Sequence, residues 1–156
     1  MHFTAHQHLI AQPNIQSTAG AAGTFTGSNF DAKEVEELLI LVNVGVGAAN
    51  SDISGQLQHS DTGGGGTFTA VAGGYLDDTF TGAGTGNALD ADTAEGNKTY
   101  LFSVNTTKLK RYLRYQTVVA TAACPHSVVF IGCSARTLPV TQIGTLISRI
   151  DPRDVA

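Results

Sequence analysis

The chain has no tryptophan, one methionine and two cysteines, and charged side chains make up only 14% of its 156 residues. Each scarcity excludes something. Without tryptophan, and with aromatics at 7%, the stacking platforms of a carbohydrate-processing cleft are missing, and an oligosaccharide site is disfavoured on the same ground. No apolar run reaches the roughly 18–20 residues of a membrane-spanning helix, and the opening MHFTAHQHLIAQPN lacks the basic start and apolar stretch of a secretion signal. The expectation is a protein made in the cytosol, with no membrane partner. A net charge of -4 and a pI near 5.6 argue against a polyanion binder, so no direct nucleic-acid contact is expected. The two thiols, Cys124 and Cys133, flank an expected hairpin arm that follows a turn at Cys124 to His126. A symmetric hairpin there would set Cys133 opposite about Gln116, so both are read as free in a reducing compartment.

Glycine, with 18 copies, and short β-rich runs dominate what remains. The sparse charge leaves a surface rich in hydroxyls and amides, which is cheaper to desolvate against a neighbour than an ionic one. Helix signals are confined to DAKEVEELLIL at 31–41, where the continuation switches to β-branched alternation, so 35–46 is read as one long strand. Leu38, Ile40, Val42, Val44 and Val46 share one face of it. Leu39 and Leu41 make the other face apolar too, as suits a strand interior to a sheet.

Residues 53–60 and 67–72 read as a hairpin across DTGGGG, followed by strands at 98–105, 112–122 and 127–135, the last two joined as a second hairpin across Pro125. Six or seven antiparallel strands imply an all-β fold, an antiparallel β-sandwich of jelly-roll type. The single domain is expected to carry an N-terminal arm over 1–30, with a strand near 14–18, a sandwich over 31–136, and a C-terminal arm over 137–156. A Gly/Asp-rich loop is expected at 73–97, a length that marks a functional or poorly ordered segment.

Few constellations carry chemistry. GGGG at 63–66 and GAGTG at 82–86 lead into no helix and no lysine, so they read as turns rather than phosphate cradles. Asp90, Asp92 and Glu95, with Asn87 and Asn97, gather oxygen ligands of the kind calcium takes, but without the spacing of a helix-loop-helix site. His2, His6 and His8 cluster with no acidic or thiol companion. His59 and His126 are expected to make surface hydrogen bonds. Cys124 and His126, two apart around a proline, make no triad, and no titratable pair has a mechanism and the spacing for it. The chain is read as non-enzymatic, with no cofactor and no metal. Charge is densest in KLKRYLRY at 108–115, which holds four of the nine Lys and Arg residues; pairing with acidic groups of the same fold or of a neighbour is favoured over base stacking.

The succession GQLQHSDTGGGGTFTAVAG, a long loop, and LKRYLRYQTVVATAACPHSVVFIGCSARTLPV resembles a group of small bacteriophage capsid decoration, or cement, proteins with β-sandwich folds. The likeness spans roughly residues 35–140 and differs in the GGGG turn and the longer 73–97 loop. It implies a head accessory protein on the outer surface of the virion, in trimers or other small clusters, bridging major capsid subunits. Arms and loop would add weak contacts through effective concentration. Arg114, Arg136, Arg149 and Arg153 are the expected capsid or subunit contacts, since arginine suits bidentate interface pairs. A tail, neck or fibre component, and a calcium- or carbohydrate-binding sandwich, are the competing readings.

Overall fold

The computed structural model describes residues 10–18, 20–78, 86–92 and 95–135. Ten strands follow the chain: β1 (Ile10–Thr18), β2 (Gly23–Thr26), β3 (Phe30–Asp31), β4 (Val35–Val44), β5 (Asp52–Ser60), β6 (Thr69–Leu76), β7 (Leu89–Asp90), β8 (Lys98–Asn105), β9 (Tyr112–Ala120) and β10 (His126–Ala135). One sheet, here sheet A, runs β1-β10-β4-β8; sheet B runs β2-β9-β5-β6, with β3 on β9 and β7 on β5. All pairings are antiparallel. With β2 and β3 serving as one strand and β6 and β7 as another, this is the eight-strand, two-Greek-key order of a jelly roll.

Alternation builds the core. In β4, Val35, Leu38, Ile40, Val42 and Val44 are buried, and β4 lies inside sheet A between β10 and β8. Val46, expected to extend this face, lies beyond the strand and is 65% exposed. Sheet B answers with Ile53 and Leu57 of β5 and Leu113, Tyr115 and Val119 of β9. Across the interior, Phe30 meets Phe130 edge-on at 5.7 Å and Phe102 meets Tyr115 at 6.3 Å between ring centroids. A one-residue slip of any strand would turn its apolar set to solvent, so the core fixes the register.

Four sequence expectations are corrected. The strands at 112–122 and 127–135 form no hairpin, because β9 belongs to sheet B and β10 to sheet A; the short link through Pro125 crosses the end of the sandwich. Both cysteines are free, but the reason is this separation rather than hairpin register. Within the expected 73–97 loop, residues 73–76 continue β6 and Leu89–Asp90 pair with Asp52 and Ile53. Within the expected arm over 1–30, residues 10–18 and 23–26 are strands of the two sheets.

The β6 error has a local cause. Gln56 opposes Tyr75 while Gln58 opposes Ala70, so β6 bulges opposite Leu57. Gly73 supplies the positive φ of 84° for that bulge, and a Cβ on Gly74 would sit 2.7 Å from the Leu57 Cβ. Two glycines that resemble a strand end permit a bulge within one.

Candidate functional surface

The two outer faces of the sandwich differ in character. On sheet A, the residues between the buried ones face outward, and the registers align them: Pro13, Val129, Leu41 and Leu101 form one row across four strands, and Ala11, Ile131, Leu39 and Ser103 the next. Solvated antiparallel faces are ordinarily polar. Here Leu101 is 63% exposed, and Leu39, Leu41, Val129 and Ile131 are half-buried. Leu39 and Leu41 were legible as a second apolar face; Val129 and Ile131 join them only once β10 is placed beside β4.

Sheet B is amide-lined outside. Gln56 Nε2 and Gln58 Nε2 both donate to Gln116 Oε1, at 3.0 and 3.1 Å, and Gln116 Nε2 donates to Thr26 Oγ1 at 3.3 Å. Arg114 Nε donates to Gln58 Oε1 at 2.8 Å, and its guanidinium lies 3.9 Å from the centroid of the Phe68 ring in the β5–β6 connection. Next to this ladder lies an open cleft of about 300 Å³, lined by Ser54, Gln56, Tyr75, Asp77, Gln116 and Val118 among others. The period-two spacing of Gln56 and Gln58 was the available sequence signal for the ladder.

The basic run is engaged within the fold. Arg111 makes a bidentate pair with Asp31, Nε to Oδ1 at 2.9 Å and Nη2 to Oδ2 at 2.6 Å, and Lys110 Nζ lies 3.2 Å from Asp61. The Arg111 guanidinium holds the Asp31 carboxyl below the usual carboxylate range, helped by the Lys33 amide. Of the four expected contact arginines, Arg114 is half-buried in the Gln58–Phe68 arrangement. Arg136, Arg149 and Arg153 lie outside the described residues, as do His2, His6 and His8.

The acidic segment is occupied with backbone. Asp92 Oδ2 accepts the Asn50 amide, Glu95 Oε2 accepts the Asp90 amide at 2.8 Å, and Asp78 Oδ1 accepts the Asn87 amide at 2.8 Å. Among the described residues no cluster of three His, Cys, Asp or Glu side chains is arranged to hold a metal. His126, expected at the surface, is buried: Nδ1 lies 3.0 Å from the Cys124 carbonyl and Nε2 2.9 Å from Thr117 Oγ1. A carbonyl only accepts, so Nδ1 carries the proton and the threonine hydroxyl donates to Nε2. Burial lowers the His126 pKa and raises that of the Cys124 thiol. His59 Nδ1 accepts the Lys110 amide at 3.4 Å.

No protein-family model matches the chain, and no curated protein sequence matches it. Solved structures that it resembles include the VP2 subviral particle of infectious bursal disease virus, at 11% identity and a TM-score of 0.43, covering 83% of this chain and 30% of that one. A second is the Gx strain of the same virus, at 13% identity and a TM-score of 0.39, covering 79% of this chain and 32% of that one. The chain thus spans about a third of the length of the solved chains it matches.

Proposed function

We propose that the chain is a virion structural protein without catalytic activity, which binds the outer surface of a bacteriophage capsid and stabilises contacts between major capsid subunits. It would be made in the cytoplasm of the bacterial host and act on the assembled head. Jelly rolls recur in viral shells and also in lectins, so the fold alone does not choose. The observation that carries the reading is the apolar outer face of sheet A, where Val129, Leu41 and Leu101 stand in register on a face that a free-standing sandwich would make polar. The low charge density and the decoration-like order of motifs over residues 35–140 support the same conclusion.

The test is binding of the purified protein to pre-formed phage shells, read by native mass spectrometry and by copy number. Hundreds of copies per shell are expected, falling at least tenfold for Leu41→Gln, which breaks the apolar row. A few dozen copies at one vertex would indicate a tail, neck or fibre component instead. Charge reversal at Arg114 or Arg136 is expected to weaken attachment, and full binding by both variants would remove those residues from the interface. The cleft beside Tyr75 keeps a ligand-binding reading open to test; a rise in melting temperature with a neutral sugar or calcium, and no shell binding, would favour it.

A further inference from the structure

Each sheet of the sandwich has two edge strands, and three of the four are protected against pairing. β1 contains Pro13 and two register shifts, between Pro13 and Ile15 and between Ile15 and Thr18. β2 is only four residues long, and β6 is broken by the bulge at Gly73. Proline, short length and bulges are the devices that keep sheet edges from recruiting another strand. β8 has none of them. Its eight residues, KTYLFSVN, pair with β4 without a shift from Lys98 to Asn105, and seven of the eight are uncharged. Among the described residues β8 has no strand partner on its other side.

β8 also sits where the core is thinnest. Tyr100, Phe102 and Val104 point inward but remain half-buried, because the sandwich ends at this strand. A cleft of about 90 Å³ opens there, between Tyr75, Leu76 and Asp77 on one side and Tyr100, Leu101 and Phe102 on the other. Leu101 points outward and is 63% exposed.

We propose that β8 is a self-association edge through which two copies of the chain pair antiparallel about a two-fold axis at Leu101, joining their A sheets into one eight-stranded sheet. The strand is self-complementary in this register. Leu101 meets Leu101 of the second copy on the outer face. On the inner face Tyr100, whose hydroxyl donates to the Glu95 carbonyl at 2.7 Å, meets Phe102 of the second copy. Aromatic and aliphatic cross-strand pairs of this kind stabilise sheets. Antiparallel pairing places each Lys98 opposite Val104, roughly 20 Å from the other Lys98 at about 3.4 Å per residue, whereas parallel pairing would set the two ammonium groups side by side. The apolar outer row then runs unbroken from Pro13 of one copy to Pro13 of the other.

An eight-residue edge is small beside the roughly 1,000 Å² of a durable interface. The dimer is therefore expected to be concentration-dependent in solution and to tighten when neighbours are held close. Isologous pairing of this kind closes at two copies. It does not depend on the virion role: a dimer that ignores capsids would overturn the proposed function and leave this inference standing.

The experiment is sedimentation equilibrium on the full chain from micromolar to millimolar concentration, beside Leu101→Lys and Ser103→Pro. Leu101 is exposed, so the lysine variant is expected to keep the wild-type melting temperature while weakening dimerisation at least tenfold through like charge at the axis. Ser103→Pro disrupts the edge by a second route and should also weaken dimerisation, read beside its own melting temperature. A chain that stays monomeric to millimolar concentration, a trimer, or a dimer untouched by Leu101→Lys would each overturn the proposal.

Discussion

Asn14 of β1 accepts the backbone amide hydrogen of Tyr115 of β9 on its side-chain oxygen at 2.8 Å, tying the edge of sheet A to the middle of sheet B. The contact exists because β1 shifts register between Pro13 and Ile15, which places Asn14 in the irregular step. Its Nδ2 donates to the Ser28 carbonyl at 2.5 Å, and its own carbonyl accepts the Ser28 amide at 2.9 Å. Gly27 is required beside it, since a Cβ there would lie 1.8 Å from Asn14 Oδ1.

Asn14→Ala is therefore expected to destabilise the protein by about 2 kcal/mol, since it leaves the buried Tyr115 amide without a partner. Urea denaturation of both proteins measures this. A loss below about 0.5 kcal/mol would mean that the two sheets are not joined through this side chain.

Tyr115 offers a contrary case. Among the described residues its hydroxyl is buried without a hydrogen-bond partner, and burial together with the Asp77 charge keeps it protonated. Tyr115→Phe retains the ring and removes the unsatisfied oxygen, so stability should hold or rise by about 1 kcal/mol. Gly55→Ala should act oppositely, costing about 1–3 kcal/mol, because its Cβ would meet the Tyr115 ring at 2.5 Å. Thermal melts of the two variants should move in different directions.

His126 should make stability sensitive to acid. Burial favours the neutral ring, so the unfolded chain binds a proton more readily than the folded one as pH falls through about 6.5. Stability is thus lost as pH drops below that value, down to the depressed folded pKa. His59, also lowered chiefly by burial, contributes in the same sense. Melting temperature between pH 7.5 and 5 should decline less steeply in His126→Gln than in wild type. Parallel profiles would show that the ring is not the acid-sensitive group.

The Asp31–Arg111 pair is bidentate but on the surface, with side chains 40% and 47% exposed. Its coupling energy in a double-mutant cycle with alanine is expected to be small and to shrink further in 1 M salt. A salt-independent coupling would indicate that packing, not charge, joins β3 to β9.

Three strands were legible from sequence: those expected at 35–46, 53–60 and 98–105 lie at 35–44, 52–60 and 98–105, because alternating residues of each turn inward and their β-rich runs are bounded by turn residues. The misreadings arose where a local signal has two structural meanings. The link through Cys124, Pro125 and His126 is as short as a hairpin turn, yet the same length crosses the roughly 10 Å between packed sheets. Pro13 argues against a strand interior, but it is tolerated at an edge. Burial of His126 was hidden because its partners, Thr117 and the Cys124 carbonyl, come together only after β9 and β10 separate into different sheets. The outer apolar surface was half legible, through Leu39 and Leu41, because the other half is contributed by cross-strand register.

The place of β10 has a consequence for how the chain acquires its structure. The last described strand lies between β1 and β4, so sheet A has no continuous hydrogen-bonded centre until β10 has been made. Before then β1 lacks its neighbour among the described strands and β4 is paired with β8 alone among them. Such long-range closure makes for slow folding, and exposed strand margins in the interval invite association between nascent chains. Folding is expected to be limited by insertion of β10, with the yield of native protein sensitive to the synthesis rate.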